Sequence, residues 1–407
     1  MKSETPRVPF KHRVRMFGGQ VIRRLHLLPG ATPDGLGQDK ELLGTSIDST
    51  LIVFYPDTPT ALYQIADWLP TFEQLHEEFG LTVICMDSRT GRALRERTSL
   101  SVLVIGREAT IDDILSRSGV KLCFYVNFNP LNVMMMWFRD IIHVSLLHGD
   151  SDKSVSVSNQ IKAFDFAFVA GQAAVDRIAA NTMLYDADAR CIAVGYPDLP
   201  ARQLPHDLPK ANGKRVLYAP TWEGGHPSVS YSSLGSHGIA MVRALLDAGY
   251  DVIYRPHPST GVRRAEYRTI SADISALLAD GSRTSAGVPL EADFESADIL
   301  ISDISAVTSN WLRTGKPLIV TDPDNPELTI AQTRLLDLVP RLAPADASRV
   351  AEIVARELAD DPTRAERHAL VDYYFGDISP GAAIARTKTA VRQLIELRDA
   401  EWARVSR

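Results

Sequence analysis

The sequence predicts an α/β protein of two similar-sized, Rossmann-like halves, each a parallel sheet flanked by helices. Three observations predict it. Short β-branched and aromatic runs alternate with longer helical segments from residue 48 onward. The alternation breaks once, at a proline-rich stretch. The chain of 407 residues is too long for one comfortable core and short for three.

Composition and charge set bounds without naming a function. With 45% hydrophobic and 23% charged residues the chain has the usage of an ordinary folded protein. A formal net charge of -6 provides no global basic field, which argues against a nucleic-acid partner and leaves any attraction for phosphate to local patches. Cys85, Cys123 and Cys191 lie far apart in apolar, strand-like stretches, a pattern of inert thiols in a reducing compartment rather than of a zinc site.

Residues 1–47 form the first segment. Lys2, Arg7, Lys11, Arg13, Arg15, Arg23 and Arg24 face a single acid, Glu4, within its first thirty residues. Phe10, Val14, Phe17, Val21, Leu25 and Leu28 recur at three- and four-residue steps, so the segment is read as a basic amphipathic helix that lies on an anionic membrane surface or packs on the first domain. No apolar run approaches the ~20 residues of a membrane span and no signal peptide is evident, so the expected location is the cytoplasm, or the periphery of the inner membrane face.

The first Rossmann-like domain is expected over 48–198. Its strands are LIVFY at 51–55, LTVIC at 81–85, SVLVI at 101–105, KLCFYV at 121–126 and IIHVSLL at 141–147, followed by FDFAFVAG and CIAVGYP. Residues 199–214 read as the linker. The second domain, 215–378, runs through RVLYAPTW at 215–222, a helix around 236–248, DVIYRPHP at 251–258, ADILISD at 297–303, a helix through Trp311, and PLIVTD at 317–322. Ser379-Pro380 reads as a cap and first residue of a closing helix within 379–407.

Ligands of open parallel sheets sit beyond the carboxyl ends of the strands, and the polar clusters of this chain fall there. HGDSDK places His148 at a strand end with Gly149, Asp150, Asp152 and Lys153 behind it; a histidine with a pKa near ~6.5 can accept a proton from an attacking hydroxyl. In YRPHP, Arg255 and His257 alternate along a segment stiffened by Pro256 and Pro258, placing both on one side, where they can grip a phosphate and donate to a leaving group. Ser305, Thr308 and Ser309 begin a helix after a strand, where orphan N–H groups suit an anion, with Asp303 or Ser305 as the alternative caps. Thr221 and Trp222 end another strand, the tryptophan either stacking on a base or packing. No phosphate loop, HExxH, GxSxG or dense carboxylate cluster is present, so the sequence names no cofactor and a divalent metal stays open.

HGxxxK, YAPTW, RPHP and ADILISDxSxVxxNWLxTGKPLI, in this order and approximate spacing, resemble the CDP-glycerol glycerophosphotransferases, the family of teichoic acid polymerases and primases. GYPDLP and DYYFGDISPGAAIARTKTAV are similar to its glycine-tyrosine-proline turn and closing segment. The resemblance spans roughly residues 140 to 395. It implies a GT-B architecture, with two Rossmann-like domains facing across a cleft, acceptor on the first and nucleotide on the second. It implies His148 as catalytic base and His257 as the group handling the diphosphate. Substrate contacts carry over to Leu146, Leu147, Gly149, Asp150, Lys153, Thr221, Trp222, Arg255, Pro256, Asp303, Ser305, Ala306, Thr308, Ser309 and Asn310. The implied partners are a CDP-polyol donor and a glycan or lipid-linked acceptor.

The chain departs from the family where Asp150-Ser151 replaces threonine-proline, Ala306 a serine, Asn310 an aspartate and Asp198 an arginine. The polyol could therefore be glycerol, ribitol or another. Two other functions fit the pattern: a GT-B glycosyltransferase using a UDP-sugar, and a non-catalytic scaffold at a membrane surface. The pairing of HGxxxK with RPHP favours the phosphotransferase.

Overall fold

The computed structural model describes residues 33–146, 151–153, 158–196, 214–226, 230–278, 281–328 and 330–406. The basic stretch 1–32, residues Leu147, His148, Gly149 and Asp150, and the expected linker with Asp198 lie outside the described residues.

Two parallel sheets organise the chain. The first contains β1 (Leu51–Tyr55), β2 (Leu81–Cys85), β3 (Ser101–Val104), β4 (Leu122–Tyr125), β5 (Ile142–Leu146), β6 (Phe166–Val169) and β7 (Cys191–Ala193), in the order β3-β2-β1-β4-β5-β6-β7. The second contains β8 (Arg215–Ala219), β9 (Asp251–Tyr254), β10 (Arg283–Thr284), β11 (Ile299–Ser302), β12 (Leu318–Thr321) and β13 (Arg341–Leu342), in the order β10-β9-β8-β11-β12-β13. β1 and β8 are buried at every residue, because helices cover both faces of the central strands of a parallel sheet and only near-continuous apolar runs fit there. β10 and β13 are edge strands of two residues without an apolar run, and sequence patterning did not reveal them.

In each sheet the strand order reverses beside one strand. β1 pairs with β2 on one side and β4 on the other; β8 pairs with β9 and β11, Ala219 lying opposite Ser302. The connections diverge from such a point and leave a crevice at the carboxyl ends of the strands.

The closing helix runs Ala382–Val405, later than the expected cap at Ser379. Gly381 precedes it with φ 82°, a left-handed conformation that glycine adopts without strain, so the chain turns there and Pro380 stays outside the helix. Its Ala390, Val391 and Leu394 are buried in one core with Leu51, Val53 and Phe72 of the first domain. Between the domains, Ala170 and Ala173 share a core with Trp311, Leu370, Tyr374 and Phe375. The contact is tight at Gly171, where a Cβ atom would stand 2.5 Å from the Tyr374 carbonyl oxygen. Among the described residues no helix is long and apolar enough to cross a membrane.

Cys85 and Cys123 are buried, and that burial pushes each thiol up to about 12; Cys191 is only half-buried, its thiol pushed up to about 11 by the same cause. All three are free.

Candidate functional site

A cleft of about 760 Å³ opens between the sheets at the carboxyl ends of β8, β9 and β11. It gathers Lys153, Thr221, Trp222, Arg255, Pro256, His257, Ser305, Ala306 and Asn310, residues from separate stretches of sequence. Tyr63, Gln64, Asp67 and Tyr196 face them from the first half of the chain.

His257 follows β9, and its ring stacks on Trp222 with centroids 6.3 Å apart and planes 22° apart. Its Nδ1 accepts the backbone N–H of Ser259 at 3.0 Å, so the neutral ring carries its proton on Nε2. Burial, reinforced by the charges of Lys153 and Arg255 and opposed by Glu223, lowers its pKa to about 4. The ring is thus a neutral hydrogen-bond donor at physiological pH rather than an imidazolium.

Lys153 crosses from the first half of the chain to the second. Its Nζ donates to Thr221 Oγ1 at 3.0 Å and lies 5.3 Å from the centre of the Tyr231 ring. Burial lowers its pKa to about 8 despite the opposing charge of Asp303. Arg255 reaches the cleft from β9, and its Nη1 donates to Asp293 Oδ2 at 2.7 Å and to the Val288 carbonyl at 2.9 Å. Asp293 is fully buried and also accepts from Arg283 and Ser285, which fixes the guanidinium in place.

Four residues expected to contact substrate do not line the cleft, and burial explains each. Leu146 is core on β5. Asp303 is fully buried and accepts from Thr221 N at 2.6 Å, Ser233 N at 3.2 Å and Thr321 Oγ1 at 2.6 Å, tying together the ends of three chain segments. Burial raises its pKa while these donors oppose the shift. Thr308 donates to the Asp303 carbonyl at 2.6 Å, and Ser309 is buried within the helix Ala306–Trp311. Ser305 holds the cap position without a side-chain cap bond, and neither it nor the Asp303 carboxylate closes the helix. The amide N–H groups of Ala306 and Val307, both cleft residues, have no partner among the described residues, and such first-turn donors suit an anion.

Sequence reasoning missed two anchors. Glu223, two residues after Thr221, accepts the backbone N–H groups of Gly261, Arg263 and Arg264 at 3.0, 3.0 and 3.1 Å; burial pulls against them, but these donors hold its carboxyl below the usual range. It fixes the loop that follows His257. Asp152 accepts from Arg177 at 3.1 Å, Thr333 at 2.8 Å and the Tyr374 hydroxyl at 2.6 Å, so it bolts its own stretch, 151–153, to the second half of the chain, and burial raises its pKa. An acid beside a histidine motif suggests an orienting partner; nothing local predicts an interdomain one. Among the described residues no group of three or more His, Cys, Asp or Glu is arranged to hold a metal ion.

Comparison with known proteins matches residues 157–379, more than half of the chain, to the model of the family described as CDP-Glycerol:Poly(glycerophosphate) glycerophosphotransferase. No curated protein matches the sequence. Among solved structures, a variant of the wall teichoic acid polymerase TagF soaked with CDPG superposes with a TM-score of 0.57 at 13% identity, covering 95% of this chain and 96% of that one. A glycosyltransferase from Rickettsia africae gives 0.54 at 11%, covering 86% and 99%. The glycotransferase of kitacinnamycin gives 0.53 at 12%, covering 86% and 99%. At these identities the structures establish a shared fold of two parallel-sheet α/β domains.

Proposed function

Because the chain belongs to the CDP-glycerol:poly(glycerophosphate) glycerophosphotransferase family, we propose that it transfers a polyol phosphate from a CDP-activated donor to an acceptor hydroxyl and releases CMP. The acceptor would belong to a cell-wall or capsular glycan or to a lipid-linked precursor. The observation that carries this reading is the convergence on one cleft of Lys153, Arg255 and His257, whose neutral ring keeps its proton on Nε2, an arrangement suited to a diphosphate.

In the proposed reaction the acceptor hydroxyl gives its proton to His148, which follows β5 in sequence by two residues. The acceptor oxygen forms a bond to the phosphorus that carries the polyol, and the bond from that phosphorus to the bridging oxygen breaks. CMP leaves with the electron pair. Lys153 and Arg255 meet the charge of the departing phosphate, and the neutral His257 donates Nε2–H to the oxygen on which charge develops. A neutral donor fits this role because it need not change protonation state. Thr221 holds Lys153, and Trp222 stacks against His257, so both rings and charges are oriented before substrate arrives.

The purified full chain incubated with CDP-glycerol, CDP-ribitol and UDP-sugars, with a lipid-linked or glycan acceptor, tests this. CMP release is expected, and it should disappear in His148→Ala and fall in His257→Ala. UDP release from a UDP-sugar without CMP release would establish the glycosyltransferase instead; retention of turnover in both variants would remove these residues from the chemistry. The basic segment 1–47 is proposed to hold the enzyme on an anionic membrane surface, and deletion of residues 1–28 should release it from anionic vesicles.

A further inference from the structure

The cleft does not end at the first domain. Tyr63, Ala66 and Pro70 form part of its wall and also part of a second groove of about 670 Å³ on the first domain. The groove therefore adjoins the cleft, the two sharing these three residues, and Arg255 and His257 line the cleft alone.

Its chemistry differs from that of the cleft. Pro70, with the largely buried Leu62 and Leu69 behind it, supplies the apolar lining, Tyr63 is 45% exposed, and Glu73 and Arg97 provide one charge of each sign. Glu73 is held in place: its Oε1 accepts from Thr98 Oγ1 at 2.6 Å and Ser99 N at 3.1 Å. Arg97 is exposed and makes no ion pair among the described residues.

We propose that this groove seats a saccharide ring of the acceptor, stacked on Tyr63 and hydrogen-bonded by Glu73 and Arg97. An exposed aromatic face beside apolar walls suits the C–H face of a sugar, and paired opposite charges suit hydroxyl groups, which both donate and accept. A polyanion fits less well. The groove's two charges cancel, so it offers no field for a phosphodiester chain, and Glu73 would repel each phosphate. The inference rests on the transferase reading for the identity of the ring as an acceptor. Because Tyr63 lines both, a sugar hydroxyl at its cleft side would stand nearest the reacting phosphorus.

Saturation-transfer NMR on the full-length protein, with the neutral disaccharides N,N′-diacetylchitobiose and cellobiose as probes, reads occupancy without turnover. Binding of at least one disaccharide is expected, weakened by about tenfold or more in Tyr63→Ala and in Arg97→Ala, with the thermal midpoint of each variant matching the parent. The assignment falls if neither probe receives saturation, if both variants bind as the parent does, or if an oligo(glycerophosphate) displaces the disaccharide at lower concentration than unlabelled sugar. CMP release is measured separately. Sugar binding with no CMP release would defeat the transferase reading alone, and CMP release without sugar binding would defeat this inference alone.

Discussion

The Asp152 carboxylate accepts the Tyr374 hydroxyl at 2.6 Å, joining the loop after β5 to the far end of the helix Arg364–Phe375 across 222 residues of sequence. The next residue, Lys153, bonds Thr221. Two adjacent side chains thus fasten the first domain to the second at the point where the cleft opens.

Asp152→Ala should destabilise the protein by about 3–5 kcal/mol, because the buried Arg177 guanidinium loses its carboxylate and two hydroxyls lose an acceptor. Denaturant unfolding measures this. Asp152→Asn, which keeps an acceptor oxygen for Tyr374, should lose less.

The charge of Lys153 predicts an alkaline limb. With a pKa lowered to about 8 by burial, the ammonium loses its proton as pH rises through that value, so kcat/KM for the donor should fall above about pH 8. Bound diphosphate favours the charged form and should move the limb upward in kcat. Lys153→Arg should abolish the limb; an unchanged profile in that variant would assign it elsewhere.

His257 should contribute no limb between pH 5 and 8, since its pKa is lowered to about 4 and the ring is neutral throughout. His257→Ala should reduce kcat about 10²–10³-fold, the range for loss of one donor to developing charge. His257→Gln, a neutral donor of similar reach, should recover part of it. Single-turnover rates at several pH values separate the two effects.

Asp303→Ala should behave as a stability variant before it behaves as a binding variant. It strands two backbone N–H groups and one hydroxyl in a fully buried site, an expected loss of at least about 3 kcal/mol. The thermal midpoint should fall without any change in the family of donors accepted. An Asp303→Ala protein as stable as the parent but unable to bind nucleotide would restore the contact role.

The fold was legible because most strands are buried apolar runs and the helices between them are periodic. β10 and β13 were not, since two-residue edge strands carry no pattern. The cleft was legible where polar residues follow a strand, as with Thr221, Arg255 and His257. The same rule does not separate Asp303 from them, because a carboxylate at a strand end looks alike whether its donors come from a ligand or, as here, from the protein's own Thr221, Ser233 and Thr321. Lys153 was legible as a cleft residue, but the partners of Asp152 and Lys153 were not. Their partners are fixed by how the two sheets face each other, and no local spacing encodes that relationship.

The helix Ala382–Val405 closes the core around β1 with Ala390, Val391 and Leu394, although β1 lies more than 320 residues earlier. On the ribosome, β1 through β7 emerge long before this helix does, and the second sheet can form in the interval. An amino-terminal domain made without this helix is expected to leave Leu51, Val53 and Phe72 incompletely covered. Vectorial synthesis inverts the expected order: the later-encoded sheet can mature first, and premature termination before the helix would leave the earlier one prone to chaperone capture and aggregation.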